Sequence, residues 1–313
     1  MHFEYAVEPA VIGKSWAAFR DLIDRFGSDK GRLISGMPEE WRKEVFQVAV
    51  AAGVGEMDKT RILESLKPDK TRHKVVCFQR GYNTTLNWVD NALREHQNEP
   101  FRAIICSREE NGCEEALSHD DCTDDHPLMD TPRSKNIIRT PEKIVEALLP
   151  IARVSKEIDI VDPYFDHRPG RGHYIETLKT LLESLAKSKG RVKSIRIHYA
   201  AHDSYPPAIE IAKSWNRLAR NVVPEGYSLE LHGWSEHTRG EDLHDRYFLT
   251  DIGGIMVGAG FSAEGPEQTA LFTLLDYRDV QELRERFSPT SIVYNKVGST
   301  VRIDSKGAKI LDE

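Results

Sequence analysis

An imidazole and a guanidinium stand two residues apart late in the chain: His244 and Arg246, with Asp245 between them. Four residues separate Arg246 from Asp251, and six more lead to Gly258. An imidazole can act as nucleophile or general base, and a planar guanidinium can grip two phosphate oxygens at once, so the pair suits a phosphodiester. The flanking strings LHDRYFLT and IMVGAGF, separated by Asp-Ile-Gly-Gly, predict an antiparallel hairpin closing on a tight glycine turn. Residues two apart on a strand share a face. With Asp251 and Gly254 flanking the turn, the pairing sets Arg246 opposite Ala259 and His244 opposite Phe261.

Other chemistry-bearing residues are weighed against blander roles. Asp162 ends the apolar string IVD, and Arg168-Pro-Gly-Arg171-Gly172-His173 follows it where ligands of parallel sheets gather, so Arg171 is a candidate phosphate contact. His198, His202, His232 and His237 could supply a second imidazole, though each reads first as an ordinary surface or core histidine. Glu264, Glu267 and Asp276 could orient His244. Cys106, Cys113, Cys122 and His126 are zinc-ligand types, but their spacing is irregular and contains no CxxC, so they read as thiols of an acidic surface linker and no metal is assigned. Asp120, Asp121, Asp124 and Asp125 lack the alternation and glycine of a calcium loop. Trp16 and Trp88 fall at core spacing and do not suggest a base-stacking platform.

The elements that must position these residues form two α/β domains. Strand FEYAV is followed by helical periodicity from Gly13 to Leu66, with Trp16, Phe19, Leu22 and Ile23 on one stripe and Trp41, Val45 and Val48 on another. KVVCF, TTLNWVDNALREH and FRAIICS read as strand, helix and strand, completing a mixed α/β domain over 1–107. Periodicity lapses over 108–140, which reads as an acidic linker. Pro141 opens an amphipathic helix, and strands then alternate with helices through EIDIVDPYF, SIRIHYAA and SLELHGW. This succession predicts a mostly parallel sheet with a terminal antiparallel hairpin over 141–313.

The string His244-Asp245-Arg246, four residues, Asp251, six residues, Gly258 resembles the signature of the phospholipase D superfamily, and IVDPYF resembles the strand that often introduces its domains. In that family a His, Lys and Asp precede a Gly-Ser-x-Asn element, and two such motifs form one site. The resemblance spans roughly residues 141–313, the size of an α/β domain. It implies His244 as nucleophile forming a phosphohistidine, Arg246 as phosphate clamp and Asp251 completing the motif. It also implies substrate contacts at Gly258, Arg171 and Asp162, no cofactor, and a second His from a homodimer or from elsewhere in the chain. Arg246 stands for the family's Lys, and Ala259 and Phe261 stand for its Ser and Asn, which removes two phosphate hydrogen-bonders. The HDR string with Gly258-Ala259-Gly260 is also similar to the C-terminal phospholipase-D-like domain of MIT-domain proteins, which binds phospholipid without catalysis.

Composition narrows the partners. The chain has 313 residues with 43 basic and 50 acidic side chains, a net charge of −7, which argues against coating nucleic acid by bulk charge. Any phosphate partner must meet a local site. No apolar run spans a bilayer, the N-terminus lacks a secretory layout, and the four cysteines form no disulfide framework, so the expected location is cytoplasmic. The favoured reading is a metal-independent nuclease acting on DNA or RNA, in the manner of relatives found in restriction or anti-phage defence complexes. The alternatives are a catalytically silent phosphate-recognition or adaptor subunit, and a phospholipid binder whose lipid affinity falls with salt.

Overall fold

The computed structural model describes residues 1–107, 113–166, 168, 173–188, 190–201 and 205–311. It forms two compact units, Met1–Arg133 and Ser134–Glu313. Both are α/β.

The first unit runs β1 (Phe3–Val7), α1 (Pro9–Ile12), α2 (Trp16–Ile23), β2 (Arg32–Ser35), α3 (Trp41–Ala51), α4 (Glu56–Ser65), α5 (Pro68–Thr71), β3 (Val75–Val76), α6 (Trp88–Asn98), β4 (Ala103–Ile105) and β5 (Ala116–Leu117). Its sheet is parallel throughout, in the order β3-β2-β1-β4-β5. Alternation along β1 sends Tyr5 and Val7 into one apolar cluster with Phe19, Leu22 and Trp41, and Ala6 into another with Trp88 and Val89. A sheet covered on both faces leaves its strands apolar on both sides, which explains their short, unalternating look.

Two expectations change here. The helical run from Gly13 to Leu66 is interrupted by β2, whose four residues are all buried. Arg32 hides this strand in the sequence: its guanidinium is taken up by Thr131, the Arg25 carbonyl and Asp124. The expected linker over 108–140 also does not stand apart where it is described, from residue 113 on. Leu117, Cys122 and Met129 are buried in the first core, Asp124 pairs with Arg32 at 2.7 Å, and Ser134–Arg139 is a strand of the second unit. Its few core residues are too sparse to register as periodicity among the acids.

The second unit comprises β6 (Ser134–Arg139), α7 (Pro141–Ala152), β7 (Ile158–Val161), α8 (Tyr174–Lys187), β8 (Ser194–Ala200), α9 (Ala208–Val222) and β9 (Ser228–Glu236). It continues with β10 (Tyr247–Thr250), β11 (Gly254–Val257), β12 (Gly265–Leu274), α10 (Tyr277–Arg286), β13 (Tyr294–Asp304) and β14 (Gly307–Leu311). Strand order is β14-β13-β9-β8-β7-β10-β11-β12-β6. The parallel portion is the centre, β7-β8-β9; antiparallel strands extend it on both sides, so this sheet is mixed. Thr140 caps α7 by accepting the Lys143 N–H, with Pro141 in the first turn, as the sequence signals.

The hairpin forms on a two-residue turn as expected, with each β10 residue's partner two positions earlier in β11 than expected. Tyr247 pairs with Met256, Phe248 with Ile255 and Leu249 with Gly254. Thr250 explains the shift: its N–H and hydroxyl both donate to the Gly253 carbonyl, and its Oγ1 accepts the Ile252 and Gly253 N–H groups. Gly254 therefore lies in the strand beneath α10. A Cβ there would sit 2.8 Å from Val280 Cγ2 and 3.1 Å from Leu249 Cδ2. Gly254→Ala should lower the urea midpoint of the second unit, by about 1–3 kcal/mol of overpacking.

Candidate active site

Beyond the C-terminal end of β7 the chain turns at Asp162, which is 0% exposed. A carboxylate so placed needs internal partners. Its Oδ1 accepts the Tyr164 N–H and its Oδ2 accepts the Phe261 N–H, both at 3.0 Å. Burial pushes the Asp162 carboxyl above its ordinary range, against those two N–H groups and the Arg246 and Arg139 guanidiniums, which favour the anion. Gly260 is required at this junction: its φ is +79°, and a Cβ would lie 2.6 Å from Asp162 Oδ2. Arg139, at the end of β6, donates to the Ala259 and Ser262 carbonyls and fixes the same loop. Asp162 is thus the frame of the site and not an open substrate contact.

Arg246 lies just before β10, with its carbonyl accepting the Val257 N–H at 2.8 Å. Its guanidinium carbon is 4.5 Å from the Tyr164 ring centroid, and Nη1 reaches the Gly258 carbonyl at only 3.4 Å. Among the described residues, no carboxylate lies within ion-pair distance of Arg246, so the fork retains donors for an anion. Gly258 takes part through its backbone: a Cβ there would crowd the Leu271 carbonyl at 3.0 Å. His244 falls in a stretch that pairs with no strand, so strand alternation does not fix it beside Arg246 as expected. Its side chain is 63% exposed, and its Nδ1 is 3.3 Å from Asp245 Oδ1. Asp245 Oδ2 accepts the Tyr247 hydroxyl at 2.8 Å. Asp245 is thus the carboxylate beside the His244 ring, where Glu264, Glu267 and Asp276 are the expected partners.

Asp251 is not brought to this site. It lies five residues along β10 from Arg246, about 16 Å at strand rise. There its Oδ1 accepts the Lys156 and Glu157 N–H groups at 2.8 and 3.2 Å, pinning the hairpin turn to the start of β7. Ala259 and Phe261 do not oppose Arg246 and His244, because the register is shifted and Arg246 faces Val257. Phe261 is 3% exposed and packs near Phe248, and only its backbone serves the site. Arg171 and His202 lie outside the described residues.

Tyrosines line the rest. Phe165, buried after Asp162, packs edge-on against Tyr174 with ring centroids 5.2 Å apart, and its carbonyl accepts the Tyr205 hydroxyl. Burial raises the Tyr174 and Tyr205 hydroxyl pKa values well above the ordinary range and pushes Tyr199 up to about 12, so all three stay neutral. His173, exposed and one residue before Tyr174, joins the histidine candidates. Tyr164, Tyr174 and Arg139 escaped the sequence reading because their roles depend on loop geometry and on a distant strand.

The other in-chain histidines serve the opposite face of β7. His198 Nδ1 accepts the Trp234 indole N–H at 3.0 Å, so its Nε2–H donates to Asp159 Oδ1, also at 3.0 Å. Arg196 and Arg284 complete the Asp159 cluster, and His232 stacks on His198 with ring centroids 5.3 Å apart. A cavity of about 450 Å³ opens here, bounded by Asp159, Arg196, His198, His232 and Arg284. His237 is exposed. In the first unit, Cys106 and Cys122 are buried in separate clusters, while Cys113 lies with His96 and Glu115. His96 Nδ1 accepts the Phe101 N–H at 3.2 Å, which leaves the proton on Nε2, the atom facing Glu115 at 3.5 Å.

No family model matches the sequence, and no curated protein does. Among solved structures, the chain is similar to Nuc, a phospholipase D family member from Salmonella typhimurium. Identity is 14%, covering 54% of this chain and 100% of that one, with a TM-score of 0.32. It is also similar to TrmBL2, an archaeal chromatin protein whose structure shows a novel mode of DNA binding. Identity there is 16%, covering 55% of this chain and 56% of that one, with a TM-score of 0.27. Among the described residues, no helix is long and apolar enough to cross a membrane.

Two expected outcomes follow from the aspartates. An Asn at position 162 offers one carbonyl oxygen and an NH2, so one buried N–H loses its acceptor; Asp162→Asn should destabilise the second unit by roughly 1–3 kcal/mol in denaturant titration. Burial lowers the His198 pKa, and although burial opposes it, hydrogen bonds from His198 and Arg196 hold Asp159 well below the carboxylate range. The folded protein therefore resists both protonations. Stability should be full near pH 7, fall below the unfolded histidine value of 6.5, and fall further below the unfolded aspartate value of 3.8. Each proton contributes at most about 1.4 kcal/mol per pH unit, and urea midpoints across this range measure the slope.

Proposed function

We propose that the second unit is a phospholipase-D-like, metal-independent phosphodiesterase acting on nucleic acid, with His244 as nucleophile and Arg246 as phosphate clamp. The observation that carries this reading is an Arg246 guanidinium without a carboxylate partner among the described residues, two residues from an exposed imidazole with a carboxylate beside it. With the ring proton on Nδ1, the nitrogen nearer Asp245, the His244 Nε2 lone pair is free to attack phosphorus. The P–Nε2 bond forms as the P–O bond to the leaving group breaks, and that oxygen takes a proton from a second acid. Water then attacks phosphorus as that second acid, now a base, takes its proton, the P–Nε2 bond breaks, and both side chains return to their starting state. The second acid is another imidazole, supplied by His244 of a homodimer partner or by His173. Arg246 holds the non-bridging oxygens throughout and stabilises their developing charge. Asp251 acts through the fold, as a positioning residue for the hairpin. In this reading the protein serves in a restriction or anti-phage defence complex.

A second reading, a silent phosphate-recognition subunit, is favoured by the loop after β11. Ala259 offers no side-chain donor, Phe261 is turned into the core, and the Ser262 hydroxyl is committed to Glu264 at 2.8 Å.

Cleavage of DNA and RNA in EDTA separates the two. Wild type should cut, His244→Ala should abolish cutting, and Arg246→Ala should lower kcat/KM by about a hundredfold or more, with Arg246→Lys in between. Folded wild type that binds but never cuts, as monomer or dimer, would establish the silent subunit.

A further inference from the structure

Tyr164 is 55% exposed, yet the chain around it is fixed. Its own N–H is held by Asp162. Next to it, the Phe165 side chain is buried and the Phe165 carbonyl is held by Tyr205. Between two anchored neighbours, a large aromatic ring is presented to solvent on rigid backbone. The Arg246 guanidinium lies 4.5 Å from that ring, well inside the roughly 6 Å range of a cation–π contact. Ring and phosphate clamp are thus one assembly.

We infer that Tyr164 and Arg246 together form a platform for one unpaired nucleotide, its base stacked on Tyr164 and a phosphate on Arg246, so that the preferred ligand is single-stranded nucleic acid. This rests on the phosphodiester reading of the Arg246 site and narrows its substrate class. Stacking is the deciding physics. In a duplex both faces of every base are covered by neighbouring bases, and an aromatic side chain gains a stack only from a base that is unpaired or extruded. A guanidinium whose N–H groups are not consumed by a carboxylate can meet the backbone phosphate of the nucleotide whose base lies on the adjacent ring. Phospholipid headgroups bring phosphate but no base face, so lipid would use Arg246 and leave Tyr164 idle. The net charge of −7 also removes bulk attraction to the duplex, which leaves local contacts to set preference.

The experiment compares anisotropy titrations of full-length protein with a short labelled single strand, as DNA and as RNA, and with the matching duplex. Wild type should prefer the single strand by about tenfold, in line with one stacked base. Tyr164→Leu should lose most of that preference, its single-strand affinity falling well beyond its duplex affinity, and Tyr164→Phe should retain it. An abasic single strand should bind wild type as weakly as the normal strand binds Tyr164→Leu. Circular dichroism melting checks that each variant is folded. Equal wild-type affinity for strand and duplex, or a Tyr164→Leu loss of the same size for both, overturns the inference. The phosphate-site reading then survives where Arg246→Ala still weakens both ligands. Binding to neither ligand, or binding indifferent to Arg246→Ala, overturns both.

Discussion

A carboxylate sealed from water must find its hydrogen bonds inside the protein, and Asp162 finds them on two segments far apart in sequence, at Tyr164 and Phe261. That pair of bonds closes the site's geometry. It fixes where the chain leaves β7, forces a left-handed glycine at position 260, and brings the loop after β11 against the loop that carries Tyr164. Arg139 then gathers the remaining carbonyls of that loop from an edge strand. With the loops set, Arg246 has one place to lie, over Tyr164 and beside Gly258.

The same strand carries a second buried carboxylate with the opposite task. Asp159 faces α10 and is surrounded by Arg196, Arg284 and His198, so its charge is matched within the core. A matched buried charge is weakly stabilising at best, but removing one partner strands the other, which makes such a cluster specific. Here it dictates where α10 docks, and Gly254 permits the close approach. One strand of four residues thus anchors a helix on one face and leads into the loops of the candidate site.

Much of this was legible in residue order. The hairpin, the strands around IVD and IHYA, and the helix opened by Thr140-Pro141 follow from alternation, turn residues and capping. Strand β2 was hidden because a buried arginine imitates a surface residue, and strands β12 to β14 because they carry long exposed faces. Hairpin register depended on a single hydroxyl, that of Thr250, which composition cannot weigh against a following pair of glycines. At the site, His244 and Arg246 were visible as types, whereas spacing alone does not say that Asp245 lies beside the His244 ring and Asp251 at the far end of β10.

The start of β10 at Tyr247 divides the site by stiffness. Arg246 is tied to the ladder by its own carbonyl, whereas His244, two residues earlier, lies outside any helix or strand. A guanidinium fixed by the sheet and an imidazole carried on unladdered backbone need different things from a ligand. In the proposed reading Arg246 is preorganised and His244 is ordered further by the ligand, so contacts remote from the reacting phosphate would feed into turnover as well as affinity.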